Sequence, residues 1–377
     1  MEFLIPGDLR AASGGYLYDR RLLAELRALG CKVSVRALDA SFPLPTAAAL
    51  EHAERVLAAI PARRPVLIDG LAFGAMPQVL RKHAARLSLL VLMHMPLSAG
   101  LQWNPRLRAR LGRLEASALA YARRVIVTGR GSLPALREYG VPAERIVLIE
   151  PGTDVAPLAD RRRSAQRVTR RAARPGVRPG ARPGARPARR RSAPRPPRLL
   201  CVATVQPGKG HEQLIEALAP LTSLPWRLTC VGSLTRSPEY VARLRARVRE
   251  LGLAGRVELV GEVRRAALER HYRRCDLFVL ATRFESYGMA VAEALAHGLP
   301  VVSTRTGAIP DLVGRRAGRL VAPGNVAALG AALAAALRDA ALLRRWAQGA
   351  AAARRRLPRW SDAAARVVAL GRLPAPR

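Results

Sequence analysis

The chain has 377 residues, half of them hydrophobic, and a formal charge of +37 from 64 Lys and Arg against 27 Asp and Glu. Its length exceeds what one compact core usually holds, so two domains are expected. No apolar run reaches the length of a membrane-spanning helix, and the opening Met-Glu-Phe-Leu-Ile-Pro lacks the basic-then-apolar pattern of a secretion signal.

Cys31, Cys201, Cys230 and Cys275 show no Cys-x-x-Cys spacing. This argues against a zinc or disulfide framework and fits a reducing cytoplasm. Cys201, Cys230 and Cys275 sit in or beside apolar segments, where a small buried side chain is expected. The charge invites a nucleic-acid partner, but its distribution weighs against one. Fifteen arginines and no acid fall between Arg161 and Arg198, and the few Trp and Phe are too dispersed for a base-stacking platform. A basic face toward anionic lipid or an acidic acceptor is the functional alternative to a generally arginine-rich composition.

In the first half, apolar runs at 3–5, 32–36, 65–68, 87–93, 124–127 and 145–149 alternate with helical patterns, among them 17–29, 106–122 and 133–139. Ser13-Gly14-Gly15 precedes the first helix and either caps it or admits a ligand to its amides. His94 follows the run 87–93 at a strand's carboxyl end, an address that favours ligand contact over a purely structural role. Next comes Ala173-Arg-Pro-Gly with three near-repeats. Recurrent proline, glycine and like charge, with almost nothing apolar to bury, predict a disordered linker over 159–197.

The second half repeats the alternation, with strands at 198–203, 226–231, 256–260, 276–280 and 300–303, and helices at 211–218, 240–251, 264–274 and 287–297. Helical segments at 325–338, 341–356 and 361–370 follow, the last set off by Pro358. The class is α/β: two parallel sheets covered by helices, with ligands beyond the carboxyl ends of the strands and a cleft where the domains face each other. The domains are expected at 1–158 and 198–356, with 357–377 as a terminal helix.

Two motifs lie at the ligand-facing end of the second domain. Thr204-Val-Gln-Pro-Gly208-Lys209-Gly210 follows its opening strand, where Lys209 either meets a diphosphate or is a solvated lysine in a glycine turn. It is not a Walker loop, lacking the Ser/Thr after lysine. Arg283-Phe-Glu-Ser-Tyr-Gly-Met-Ala-Val-Ala-Glu293 runs from a buried strand through a loop into a helix beginning near Tyr287 or Gly288. Amides there favour an anion, Gly288 permits close approach, and the carboxylates Glu285 and Glu293 suit sugar or ribose hydroxyls.

Together these residues resemble the family 4 retaining glycosyltransferases, which have the GT-B architecture of two Rossmann-like domains facing each other across a cleft. The resemblance covers nearly the whole chain except the linker. It also draws on Glu150-Pro-Gly-Thr-Asp154, Gly298-Leu-Pro-Val-Val302, Thr306-Gly-Ala-Ile-Pro-Asp311 and Gly318-Arg-Leu-Val-Ala-Pro-Gly324. It implies transfer of a sugar from a nucleotide-sugar donor, held by the second domain, to a hydroxyl acceptor on the first, in glycan, polysaccharide or glycolipid synthesis. His94, Lys209 and Glu285 would be the catalytic group; Glu293, Tyr287, Gly288 and Met289 would bind donor, and Gly14 and Gly15 would line the acceptor or phosphate loop. No cofactor or metal is implied. The partners implied are the donor and a hydroxyl acceptor that the residues do not identify; many relatives act on lipid-linked or surface polysaccharide precursors, which would bring peripheral contact at the inner membrane face. Thr204 and Gly208 stand where the family often has arginine, and Asp311 where it has glutamate. The competing readings are a catalytically weak GT-B partner protein and a polyanion binder.

Overall fold

The computed structural model describes residues 1–11, 13–100, 103–154, 156–158 and 195–372. The expected linker lies outside the described residues apart from 195–197.

The first sheet is built from β1 (Glu2–Pro6), β2 (Ser34–Leu38), β3 (Pro65–Asp69), β4 (Ser88–Met93), β5 (Arg124–Val127) and β6 (Ile146–Leu148), all parallel, in the order β2-β1-β3-β4-β5-β6. Its central strands read as unbroken apolar runs because both faces are covered. The period of two divides them between two cores. Leu4, Val66, Ile68, Leu89, Val91 and Met93 face a cluster closed by α2 (Ala47–Ala58), α3 (Gly70–Phe73), α4 (Pro77–His83) and α5 (Pro105–Leu119). Phe3, Ile5, Leu67, Leu90, Leu92 and Ile126 face the other way, under α1 (Gly14–Ala28). A short helix, α6 (Leu133–Glu138), follows β5.

The second sheet comprises β7 (Arg198–Val202), β8 (Arg227–Val231), β9 (Val257–Gly261), β10 (Leu277–Leu280), β11 (Val301–Thr304) and β12 (Gly318–Val321), parallel, in the order β12-β11-β10-β7-β8-β9. Counted from one, that is 3-2-1-4-5-6 read from the other edge, the doubly wound order whose ligand crevice opens where the winding reverses, between β7 and β10. Its helices are α7 (His211–Leu218), α8 (Pro238–Glu250), α9 (Arg265–Arg274), α10 (Met289–Ala296), α11 (Ile309–Val313), α12 (Val326–Arg338) and α13 (Ala340–Ala353). One large cluster, from Leu199 to Ala353 and including Trp226, Tyr272 and Phe278, forms its core.

After α13 and the tight turn Arg354–Arg356, the chain passes Pro358 into α14 (Trp360–Arg372), which lies on α1. Trp360, Ala363, Ala364 and Val367 complete the first sheet's second core beside Phe3, Ile5 and Tyr18. Residues 152–153, after the first sheet, lie against the returning segment 358–360. The Thr153 N–H donates to the Pro358 carbonyl at 2.8 Å, and a Cβ at Gly152 would lie 2.1 Å from the Trp360 nitrogen.

Several details differ from the sequence expectation, among them β12, a sixth strand in the second sheet where five were expected. The helix bearing Glu293 starts at Met289, because Gly288 takes φ +98° and cannot continue a right-handed helix upstream. Helices α2, α3, α4 and α11 were not among the helical patterns named; α2 buries only Ala49, Ala53 and Leu57 in an alanine-rich stretch, and the others have seven residues or fewer.

Candidate functional site

At the reversal of the second sheet, the loops after β7 and β10 meet. Gly210 adopts φ +76°, and a Cβ there would lie 1.9 Å from the Ala281 carbonyl oxygen, so only glycine lets the loops touch. The Gly208 carbonyl accepts from the Arg283 N–H at 2.8 Å and the Thr282 hydroxyl at 3.2 Å. This stitching brings Lys209 onto Glu285, Nζ to Oε1 at 2.6 Å, with Glu285 mostly buried. The first amides of α10 have no carbonyl within the helix to bond, and they leave positive potential nearby.

Glu293, in the second turn of α10, accepts from Arg265 Nη1 at 2.7 Å and from the Tyr272 hydroxyl at 2.9 Å. Burial, with Glu293 beside it, pushes the Tyr272 phenol well above its usual range, so it remains a donor. Arg265 also reaches Glu269 at 3.1 Å and Asp154 at 3.4 Å. Asp154 in turn pairs with Arg21 of α1, whose guanidinium lies over the Trp360 ring. Tyr287, Met289 and Glu293 line one cavity with Arg21, Asp154 and Arg265.

Across the cleft, His94 leaves the end of β4 with Nε2 2.9 Å from Asp19 Oδ1 and 3.5 Å from Asp69 Oδ2. Burial works against a charged ring here. Asp19 and Asp69 outweigh it and hold the His94 pKa at about 10, so the imidazole is a cation near neutrality. Burial raises Asp19 itself to about 6, against the pull of His94. Asp69 also accepts from the Leu71 N–H at 2.8 Å, which fixes its carboxylate. A Cβ at Gly15 would come within 3.0 Å of the His94 ring, so this glycine makes room for it. Ser13 accepts from the Tyr16 N–H at 3.2 Å and caps α1.

The halves meet through small residues. The Gly131 N–H donates to the Ser286 carbonyl at 3.3 Å, and the Ser132 and Ser286 hydroxyls are 3.0 Å apart. A Cβ at Gly129 would lie 2.2 Å from the Ser286 carbonyl oxygen, and one at Gly131 2.3 Å from that of Glu285. Met289 packs beside the core containing Tyr18 and Trp360, and a Cβ at Gly14 would stand 3.9 Å from its sulfur.

The structure thus joins Lys209 to Glu285, Gly15 to His94, and Gly14 to Met289. Glu285 and Glu293 share no partner: the first is held by Lys209 and the second by Arg265 and Tyr272. Asp311 is exposed and pairs with Arg130 across the seam at 3.5 Å. Sequence reasoning missed Asp19, Asp69, Arg265, Tyr272 and the Gly129–Ser132 loop. Asp69 alone carried a readable sign, an acid ending the apolar run Val-Leu-Ile.

The arrangement can hold a ligand with hydroxyl groups and anionic phosphate: carboxylates for the former, a lysine and helix amides for the latter. Residues 186–353 match the family model for glycosyl transferases group 1. The fold is GT-B. It superposes on Anabaena HepE in complex with UDP and glucose at TM-score 0.73 and 19% identity, covering 99% of this chain and 100% of that one. Sucrose-phosphate synthase from Thermosynechococcus elongatus matches at TM-score 0.76 and 20% identity over 98% of each chain. Among curated relatives, the D-inositol 3-phosphate glycosyltransferase of Kineococcus radiotolerans is 33% identical over 58% of this chain and 49% of its own. The lipopolysaccharide core biosynthesis mannosyltransferase LpsB of Rhizobium meliloti is 33% identical over 37% of this chain and 41% of its own. The chain spans less than half the length of these curated relatives. Among the described residues, no single helix is long and apolar enough to cross a membrane.

Proposed function

We propose that the chain is a family 4 glycosyltransferase that moves a sugar from a nucleotide-sugar donor to a hydroxyl acceptor, with retention and without a bound metal. The observation that carries this reading is the Lys209–Glu285 pair at the reversal of the second sheet, 2.6 Å apart, on the domain that matches the glycosyl transferases group 1 model. The UDP and glucose named with the HepE structure lend support.

In this reading Glu293 takes the ribose hydroxyls, displacing or sharing Arg265 and Tyr272. Lys209 and the amides around Tyr287, Gly288 and Met289 face the diphosphate. Glu285 and the His94 imidazolium contact the transferred sugar, and Gly14 and Gly15 leave room for acceptor or phosphate. The bond from the anomeric carbon to the phosphate oxygen breaks, and the acceptor oxygen bonds that carbon on the same face. The acceptor proton passes to a donor phosphate oxygen. Lys209 stabilises charge growing on the leaving diphosphate, the electrostatic contribution that often dominates catalysis. The reaction is placed in the cytoplasm, in glycan or glycolipid synthesis at the inner membrane face.

A thermal-shift screen of UDP-, GDP- and ADP-sugars, followed by mass analysis of products, tests this directly. One nucleotide class should stabilise the protein, and Lys209→Ala should lower turnover roughly 10²–10³-fold while remaining folded. Full activity in both Lys209→Ala and Glu293→Gln would overturn the site.

A further inference from the structure

Cys201 on β7 and Cys230 on β8 are direct partners in the parallel register, so their side chains leave the same face of the sheet on adjacent strands. His211, the first residue of α7, packs onto that face with Nε2 3.8 Å from Cys201 Sγ. One ligand atom from each of the three lies within 4.8 Å of the others. All three side chains are essentially inaccessible. His211 turns Nε2 toward the thiols, where it meets Cys201 Sγ, while Nδ1, on the other side of the ring, is buried with no hydrogen-bond partner among the described residues. Chain spacing hid the cluster: 29 positions separate the cysteines, and only the strand register unites them.

We propose that Cys201, Cys230 and His211 form a buried binding site for one soft, thiophilic divalent cation. Two thiolates and one neutral imidazole give such an ion a trigonal sulfur-rich shell and a complex of zero net charge, which suits a dry core. Binding expels the two thiol protons to solvent, and no redox step is involved. The site differs from the cleft in both chemistry and place. It nonetheless bears on the cleft, because Cys201 and His211 bracket the loop 202–210 that carries Lys209. A cation holding both ends would pin that loop.

Cd²⁺ is the probe. The reduced full-length chain, incubated with Cd²⁺ in mild urea, returned to buffer and desalted, should retain one equivalent by elemental analysis and show a thiolate-to-metal charge-transfer band. Cys31→Ala and Cys275→Ala should keep both signals, whereas Cys201→Ala and Cys230→Ala should lose the band. Adventitious Cd²⁺ on Asp19, Asp69 and His94 would give retention without the band and would overturn the proposal. So would an unchanged band in Cys230→Ala. Should the cysteine variants fail to fold, alkylation of the unmutated protein in mild urea decides: bound Cd²⁺ should shield Cys201 and Cys230 selectively. Equal labelling of all four cysteines with and without Cd²⁺ would refute the site.

Discussion

On the first sheet, His94 is clamped between Asp19 and Asp69, carboxylates at 0% and 2% side-chain exposure. On the second, Glu285 and Glu293 stand at 17% and 15% exposure against Lys209 and Arg265, which reach further into solvent at 27% and 43%. The first half therefore offers a charge whose state is set by the fold. The second offers carboxylates whose present partners can be shared with or yielded to a ligand. A site built to hold an exchangeable nucleotide gains from the second arrangement, and one that must present a fixed donor gains from the first.

Breaking the seam between the halves should have the largest effect. Gly129→Ala places a methyl 2.2 Å from a backbone oxygen that cannot swing aside, so the domains must part. The proposed sugar transfer should fall about 10²-fold, as expected for a misplacement of about 1 Å, with a larger radius of gyration in X-ray scattering. Unchanged scattering with unchanged activity would show that the seam is not needed.

Next comes the clamp itself. Asp19→Asn leaves a buried imidazolium with half its counter-charge and should cost about 3 kcal/mol in urea unfolding. Glu293→Gln, with its partly solvated partners, should cost less than about 1 kcal/mol. Equal losses would erase the contrast between the halves.

Titration sharpens the comparison. A His94 pKa raised from 6.5 to about 10 means that its contribution to stability is complete below pH 6.5 and fades as pH climbs toward 10. Asp19, raised from 3.8 to about 6, acts in the same direction at lower pH, its protonated form favouring the folded state. Tm should therefore drop between pH 7 and 10, and His94→Gln should flatten that slope. Glu115 gives a parallel case. Burial lifts it to about 8 although it accepts from the Leu97 N–H at 2.9 Å. Glu115→Gln should raise stability by roughly 1 kcal/mol at pH 8, where the native carboxyl is forced to ionise.

The smallest effect is expected at Arg265. Its pairs with Glu293, Asp154 and Glu269 are half-exposed. Arg265→Ala should change unfolding by less than about 1 kcal/mol while altering the KM for the proposed donor more than kcat. A large stability loss would mark Arg265 as a structural tie instead.

Every strand but β12 was legible because strand–helix alternation is local. The span 124–127 is β5, and 211–218 is α7. The loop positions of Lys209 and Glu285 were legible for a similar reason, since each sits in a loop whose neighbours spell out strand, glycine and helix. Asp19, Asp69, Arg265 and Gly129 reach the site through residues far away in the chain. No spacing rule announces that Arg265 reaches Glu293 or that Gly129 must admit Ser286. The start of α10 was misread by one or two residues because nothing in Tyr287-Gly288 reveals in advance which residue takes the positive φ.

The place of α14 has a consequence for synthesis. Phe3, Ile5 and Tyr18 leave the ribosome early, yet the core they share with Trp360, Ala363 and Val367 is finished only when the far end of the chain emerges. Until then the part of the first sheet's face beside α1 stays open, waiting on a helix more than 300 residues downstream. Contacts of such separation close late and slowly. The second sheet, whose core is drawn from a continuous stretch, can be complete first, so the half made first is the half that matures last.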